Sequence, residues 1–85
     1  MSEQKSDGAA EGVIAIVAEV LGADPARLSA ETRAGDVEGW DSLALVRMVF
    51  AIEAAYPVRF TLAQIEGVDG IAPLIAAVRK AAPAA

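Results

Sequence analysis

The side chain in this sequence with the clearest chemical use is the hydroxyl of Ser42, which lies between Asp41 and Leu43. An aspartate followed by a serine and an apolar run is typical of a helix start, with Asp41 as the N-cap. A hydroxyl in the first turn lies close to solvent and at the positive end of the helix dipole, where a phosphate is stabilised. The pattern therefore favours a serine that carries a phosphodiester.

The same serine lacks the neighbours that catalysis requires. The chain has 85 residues and contains neither histidine nor cysteine. Without histidine it lacks the usual base for a serine hydroxyl, and without cysteine it has no thiol nucleophile or thiolate metal site. We therefore expect no catalytic residue and no metal site, and we expect any modification of Ser42 to be made by another enzyme.

Charge and length exclude several classes of partner. Twelve acidic residues against seven basic ones give a formal net charge of -5. An acidic chain does not attract phosphate backbones, so we expect no nucleic-acid partner. No apolar segment reaches the length of a membrane span, and the N-terminus lacks the apolar core of a signal peptide. We expect a cytoplasmic, monomeric protein with no membrane partner.

Apolar periodicity predicts an all-α fold, a small bundle of three main helices plus one short helix, with a long loop between the first and second helices. The predicted helices cover about Ala9–Leu21, Ser42–Ala55, Leu62–Glu66 and Ile71–Lys80. The folded domain would cover residues 9–80, with disordered tails at 1–8 and 81–85.

The predicted second helix is apolar on two sides. One stripe consists of Leu45, Val49 and Ile52, and the other consists of Leu43, Val46 and Phe50. A small domain cannot easily bury both stripes, so we expect part of this helix to face solvent or a partner. Of Met48 and Phe50, at least one should lie in the core. Trp40 either covers the core at the end of the loop or contacts a partner.

The Asp-Ser-Leu tripeptide at residues 41–43, at the start of the second helix of a short acidic chain, resembles the attachment motif of acyl carrier proteins. In that family the serine carries a 4′-phosphopantetheine arm. The resemblance covers residues 13–78 and includes the order of the helices and the long loop. Trp40 and the segment from residue 45 to residue 60 resemble discrete carriers of specialised-metabolite pathways.

The resemblance implies a role for particular residues and a set of partners. Ser42 would be the attachment site of the arm, and Asp41 would help to position the incoming cofactor. Partner enzymes would contact Glu38, Trp40, Leu43, Val46, Arg47, Phe50 and Glu53. These partners would be a phosphopantetheinyl transferase, acyl-transferring or acyl-activating enzymes, and downstream biosynthetic enzymes, as in polyketide synthesis. The chain itself would be a non-catalytic carrier that holds an acyl group as a thioester.

Two alternatives remain open. An aminoacyl or peptidyl carrier of a nonribosomal peptide pathway would have the same scaffold and a different cargo. An unmodified helical interaction module would use the same apolar helix to bind a partner, and it would never gain mass at Ser42.

Overall fold

A computed structural model describes residues 8–83 of the chain, and these residues form a small bundle of four α-helices. The helices are α1 (Ala9–Leu21), α2 (Ser42–Ala55), α3 (Leu62–Glu66) and α4 (Ile71–Lys80). The predicted fold class and helix bounds are confirmed. No helix within the described residues is both long and apolar enough to cross a membrane.

Local chemistry explains where several of these helices begin and end. The Thr61 hydroxyl accepts the backbone N–H of Gln64, and the Gln64 side chain accepts the N–H of Thr61, so a capping box begins α3. Pro73 lies in the first turn of α4, where the backbone N–H that proline lacks has no partner within the helix. Gly22, with φ of 66°, ends α1 in the left-handed conformation that glycine adopts readily.

Helices α1, α2 and α4 enclose the core, because α1 packs against both of the others. The largest fully buried side chains are Val13, Val17, Met48, Ile52, Ile71 and Leu74. At Gly12 of α1, the hydroxyl of Tyr56, the residue that follows α2, occupies the space that a side chain at residue 12 would need. Met48 is fully buried and Phe50 is exposed, so of these two residues Met48 is the one that lies in the core.

The long connection between α1 and α2 contains two short 3-10 turns. The first, Pro25–Arg27, begins at Asp24, whose carboxylate accepts the Ala26 N–H. The second covers Ala34–Asp36 and has no counterpart among the predicted elements. Each turn pairs some backbone groups locally, which allows a connection of this length to be ordered.

Backbone hydrogen bonds join the middle of this connection to the start of α4. The N–H of Ala34 donates to the Asp69 carbonyl at 2.8 Å, and the N–H of Ile71 donates to the Thr32 carbonyl at 2.9 Å. Gly70 lies between these bonds, and a Cβ there would lie 2.8 Å from the Thr32 oxygen. The absence of a side chain at residue 70 allows the loop to approach the helix this closely.

The C-terminal end differs from the disordered tail expected at residues 81–85. Ala82–Pro83 forms a short strand, β2, which pairs antiparallel with β1 at Val58–Arg59. This pairing depends on backbone groups far apart in the chain, so local periodicity gives no sign of it. At the other end, Gly8 directly precedes α1. The rest of the two predicted tails, residues 1–7 and 84–85, lies outside the described residues.

Candidate functional site

Ser42 is the first residue of α2 and is exposed. The carboxylate of Asp41 accepts the backbone N–H of Ala44 at 2.8 Å, and the Asp41 carbonyl accepts the N–H of Leu45 at 3.0 Å. Asp41 is thus the N-cap that the sequence predicts, and it fixes the direction in which α2 leaves the loop. Ser42 therefore lies at the positive end of a 14-residue helix.

An open cleft of about 450 Å³ lies beside this serine. It is bounded by the end of the loop, the first turns of α2, α3 and the start of the segment that leads to α4. Its lining residues are Ala34, Trp40, Asp41, Ser42, Leu45, Val46, Ile65, Glu66, Val68 and Asp69. Most of this lining is apolar, with carboxylates at its edges, so the cleft can accept a flexible chain attached at Ser42.

The cleft contains no group that usually activates a serine. None of the lining residues is a lysine or an arginine, and the chain contains no histidine. The Asp41 carboxylate is already engaged as the helix cap. A serine needs an adjacent base to act as a nucleophile, and these lining residues do not include the usual one.

The outer side of α2 is apolar and exposed. The sequence predicts this because a small domain cannot easily bury both apolar stripes of the helix. Leu43, Val46 and Phe50 are 59%, 45% and 67% exposed, respectively. Arg47 lies among them and is exposed as well. Val49 and Ile52 of the other stripe are buried, and Ile52 belongs to the core cluster. The expectation that one side of α2 faces solvent or a partner is therefore met on the helix that begins with Ser42.

The remaining residues singled out in the sequence have different surroundings. Glu38 is exposed in the loop before α2. Trp40 is half-buried, packs against the core and also lines the cleft. Glu53 is half-buried, and its carboxylate accepts the backbone N–H of Phe60 at 3.0 Å. The Glu53 carboxylate thus stabilises the fold, whereas a role in partner binding remains a prediction.

Sequence reasoning did not identify the far wall of the cleft. Ile65 and Val68 supply its apolar part, and Glu66 and Asp69 supply carboxylates. Ile65 and Val68 are half-buried. The only local signal of this wall was a pair of large apolar side chains three residues apart, one in the short helix α3 and one just after its end.

Comparisons with known proteins agree with this geometry. Residues 11–78 match the profile of a family described as "Phosphopantetheine attachment site". The fold is similar to the solution NMR structure of the holo acyl carrier protein from Geobacter metallireducens, with a TM-score of 0.74 and 26% sequence identity. The match covers 86% of this chain and 84% of that chain. No curated protein matches the sequence.

The matched segment contains α2, its exposed serine and the whole cleft beside it. An exposed hydroxyl next to an apolar cleft with room for a flexible chain fits a pantetheine arm, and the resemblance inferred from the sequence is confirmed. The chain belongs to the phosphopantetheine-binding family of acyl-carrier-type proteins, and its prosthetic group is covalently attached 4′-phosphopantetheine.

Proposed function

We propose that this chain is a cytoplasmic carrier of polyketide or other specialised-metabolite biosynthesis, with its arm attached at Ser42. The arm supplies a terminal thiol on which an acyl group is held as a thioester. The observation that supports this most strongly is the position of Ser42, exposed at the N-terminus of α2 and at the mouth of the cleft. The chain itself catalyses no reaction in this proposal.

In the proposed loading step, a phosphopantetheinyl transferase transfers the phosphopantetheine group of coenzyme A to the Ser42 oxygen. The hydroxyl proton passes to a base of the transferase, because the cleft offers no histidine or lysine, and adenosine 3′,5′-bisphosphate leaves. Asp41 caps the helix start and so positions the backbone of Ser42 for the transferase. The positive end of α2 favours the negative phosphodiester once it has formed.

The tether raises the effective concentration of the cargo at each enzyme that acts on it. The proposed partners are acyl-transferring or acyl-activating enzymes and the downstream biosynthetic enzymes. They would contact the loop before α2 and the outer side of α2, at Glu38, Trp40, Leu43, Val46, Arg47, Phe50 and Glu53. We propose that the chain acts as a monomer and binds no nucleic acid.

An aminoacyl or peptidyl carrier is the second candidate, and the carboxylates of the cleft favour it. Glu66 and Asp69 both line the cleft beside Ser42. The Asp69 carboxylate lies 3.5 Å from the Arg33 guanidinium, whereas Glu66 forms no ion pair within residues 8–83. An ammonium group on the cargo would be attracted to Glu66. Incubating the holo chain with acyl-transferring enzymes and with amino-acid-activating enzymes would separate the two candidates by the cargo that is loaded.

The decisive experiment is an intact mass before and after incubation with coenzyme A and a broad-specificity phosphopantetheinyl transferase. We expect a gain of one phosphopantetheine group in the original chain and no gain in Ser42→Ala. Ser29→Ala is the matched control, because Ser29 is an exposed serine outside the cleft, and it should load normally. A folded original chain that gains no mass, or a Ser42→Ala variant that does, would contradict the proposal and favour the unmodified interaction module.

A further inference from the structure

The outward side of α2 combines exposed apolar side chains with one positive charge. We call Leu43, Val46, Arg47 and Phe50 the α2 face. Each of its three apolar members is about half exposed or more, and Phe50 is two-thirds exposed. Exposed large apolar side chains that recur on one side of a helix are typical of a surface that another protein covers.

The charge of the α2 face is opposite to that of the chain. The net charge is -5, yet Arg47 is the only charged member of the face. Arg47 forms no ion pair within residues 8–83. The only carboxylate in α2 belongs to Glu53, and it is bound to the backbone of Phe60. The face therefore offers an unpaired guanidinium surrounded by apolar groups and no carboxylate to balance it.

We propose that the α2 face docks on a partner enzyme that presents an apolar recess for Phe50 and Leu43 and a carboxylate opposite Arg47. This inference rests on the proposed carrier function and specifies the chemistry of the partner. A carboxylate in the recess would pair with Arg47 away from water, where a mismatched charge is strongly unfavourable. A lysine or arginine of the partner directly opposite Arg47 would bring like charges together and would weaken docking at the α2 face.

The spacing along α2 explains how such docking would present the arm. Phe50 is eight residues after Ser42, which is about 12 Å along the helix axis. An aromatic side chain held in a recess would therefore anchor the helix about two turns from the attachment site. Asp41 before Ser42 and Arg47 beyond it have opposite charges, so a partner with complementary charges would bind α2 in one direction only.

A second copy of this chain fits the α2 face less well than an enzyme does. In a two-fold symmetric contact, the centre of the face would lie near the axis, and the two Arg47 guanidinium groups would face each other. The face also contains only four side chains, whereas a stable interface buries about 800 Å² on each partner. A small face with one charge suits the transient contacts that a carrier must make with successive enzymes.

The test uses a broad-specificity phosphopantetheinyl transferase with an apolar carrier-binding surface, prepared in two forms. The forms carry glutamate or lysine at the position that lies opposite residue 47 when Ser42 occupies the active site. For the original chain we expect the KM of loading to be about tenfold lower with the glutamate form. Arg47→Glu should reverse this preference, and Phe50→Ala should raise the KM for both forms.

Arg27→Glu is the matched control, because it changes the net charge equally at an exposed arginine in the loop after α1. It should keep the preference of the original chain. Equal KM values for the two forms, or a reversal by Arg27→Glu, would overturn the inference. The inference would also be overturned if analytical ultracentrifugation showed that the original chain forms a dimer and that Phe50→Ser dissociates it.

A separate measurement distinguishes this inference from the proposed function. The affinity of Ser42→Ala for the two transferase forms reports on the α2 face without any loading. A folded chain that is never loaded would contradict the carrier function, whereas equal affinities of Ser42→Ala for both forms would contradict only the docking proposal.

Discussion

The carboxylate of Glu53 accepts the backbone N–H of Phe60 at 3.0 Å, and this bond joins the last turns of α2 to the segment that enters α3. Because α3 supplies one wall of the cleft, the bond helps to set the position of that wall relative to Ser42. A carboxylate that could be read as a partner contact is therefore part of the support of the site.

Glu53→Ala should lower the free energy of unfolding by about 1 kcal/mol, because it leaves the N–H of Phe60 without its charged acceptor. Glu53→Gln keeps an acceptor oxygen and should lose less. Urea denaturation measures both changes, with Glu38→Ala as the control at an exposed carboxylate. A loss of stability in Glu38→Ala as large as that in Glu53→Ala would show that the hydrogen bond is not the cause.

Asp41 combines two roles that substitution can separate. Asp41→Ala removes the acceptor for the Ala44 N–H and should destabilise the fold by about 1 kcal/mol. Asp41→Asn keeps a good N-cap but removes the negative charge beside Ser42. We expect Asp41→Asn to retain nearly the stability of the original chain in thermal unfolding. If Asp41→Asn is loaded with phosphopantetheine more slowly than the original chain, the negative charge of Asp41 contributes to loading. If the two loading rates are equal, Asp41 acts only as the helix cap.

The local elements were predictable from the sequence because their causes are local. Asp41 and the pair Thr61 and Gln64 determine two helix starts through side chains within three residues of each helix. The exposed stripe of α2 followed from counting apolar positions against the size of the core. By contrast, the β1–β2 pairing and the hydrogen bonds around Gly70 join backbone groups from distant segments. The pattern of side chains along the sequence does not predict such bonds.

The cleft likewise contains residues that could be predicted from the sequence and residues that could not. Ser42 and Asp41 were identifiable because their chemistry depends on their place at a helix start. The opposite wall was not, because Ile65 and Val68 reach the site only through the path of the chain after α2. The hydrogen bond of Glu53 was not predictable for a related reason, since its acceptor role depends on the turn that brings Phe60 back to it.

Gly70→Ala should destabilise the fold by about 2 kcal/mol, because the added Cβ would lie 2.8 Å from the backbone oxygen of Thr32 and 3.2 Å from the Cα of Arg33. These loop backbone atoms cannot move away without weakening the bonds between the loop and the start of α4. Gly67→Ala is the control, since a Cβ at residue 67 meets no heavy atom within 4 Å. Equal unfolding midpoints in urea for the two variants would contradict the close approach at Gly70.

Gly12→Ala tests the contact between α1 and the end of α2. Alanine is favoured over glycine within a helix by about 1 kcal/mol, so substitution at an open position would stabilise α1. Here the Tyr56 hydroxyl occupies the space of the new Cβ, and we expect a net loss of stability instead. In a Tyr56→Phe background the loss should be smaller, because the hydroxyl is gone. Independent, additive effects of the two substitutions would show that these residues are not in contact.

Substitution on the buried side of α2 should destabilise the fold strongly, whereas substitution on the exposed side should hardly change its stability. Met48 is fully buried, so Met48→Ala should destabilise the fold by about 2 to 5 kcal/mol. Phe50 is two-thirds exposed, so Phe50→Ser should change the free energy of unfolding by less than about 0.5 kcal/mol. Denaturation of both variants in urea checks the stabilities, and loading by the apolar-surface transferase checks the function. A Phe50→Ser variant that is stable but loads poorly would show that this side chain is retained for contact with a partner, whereas unchanged loading would remove Phe50 from the docking surface.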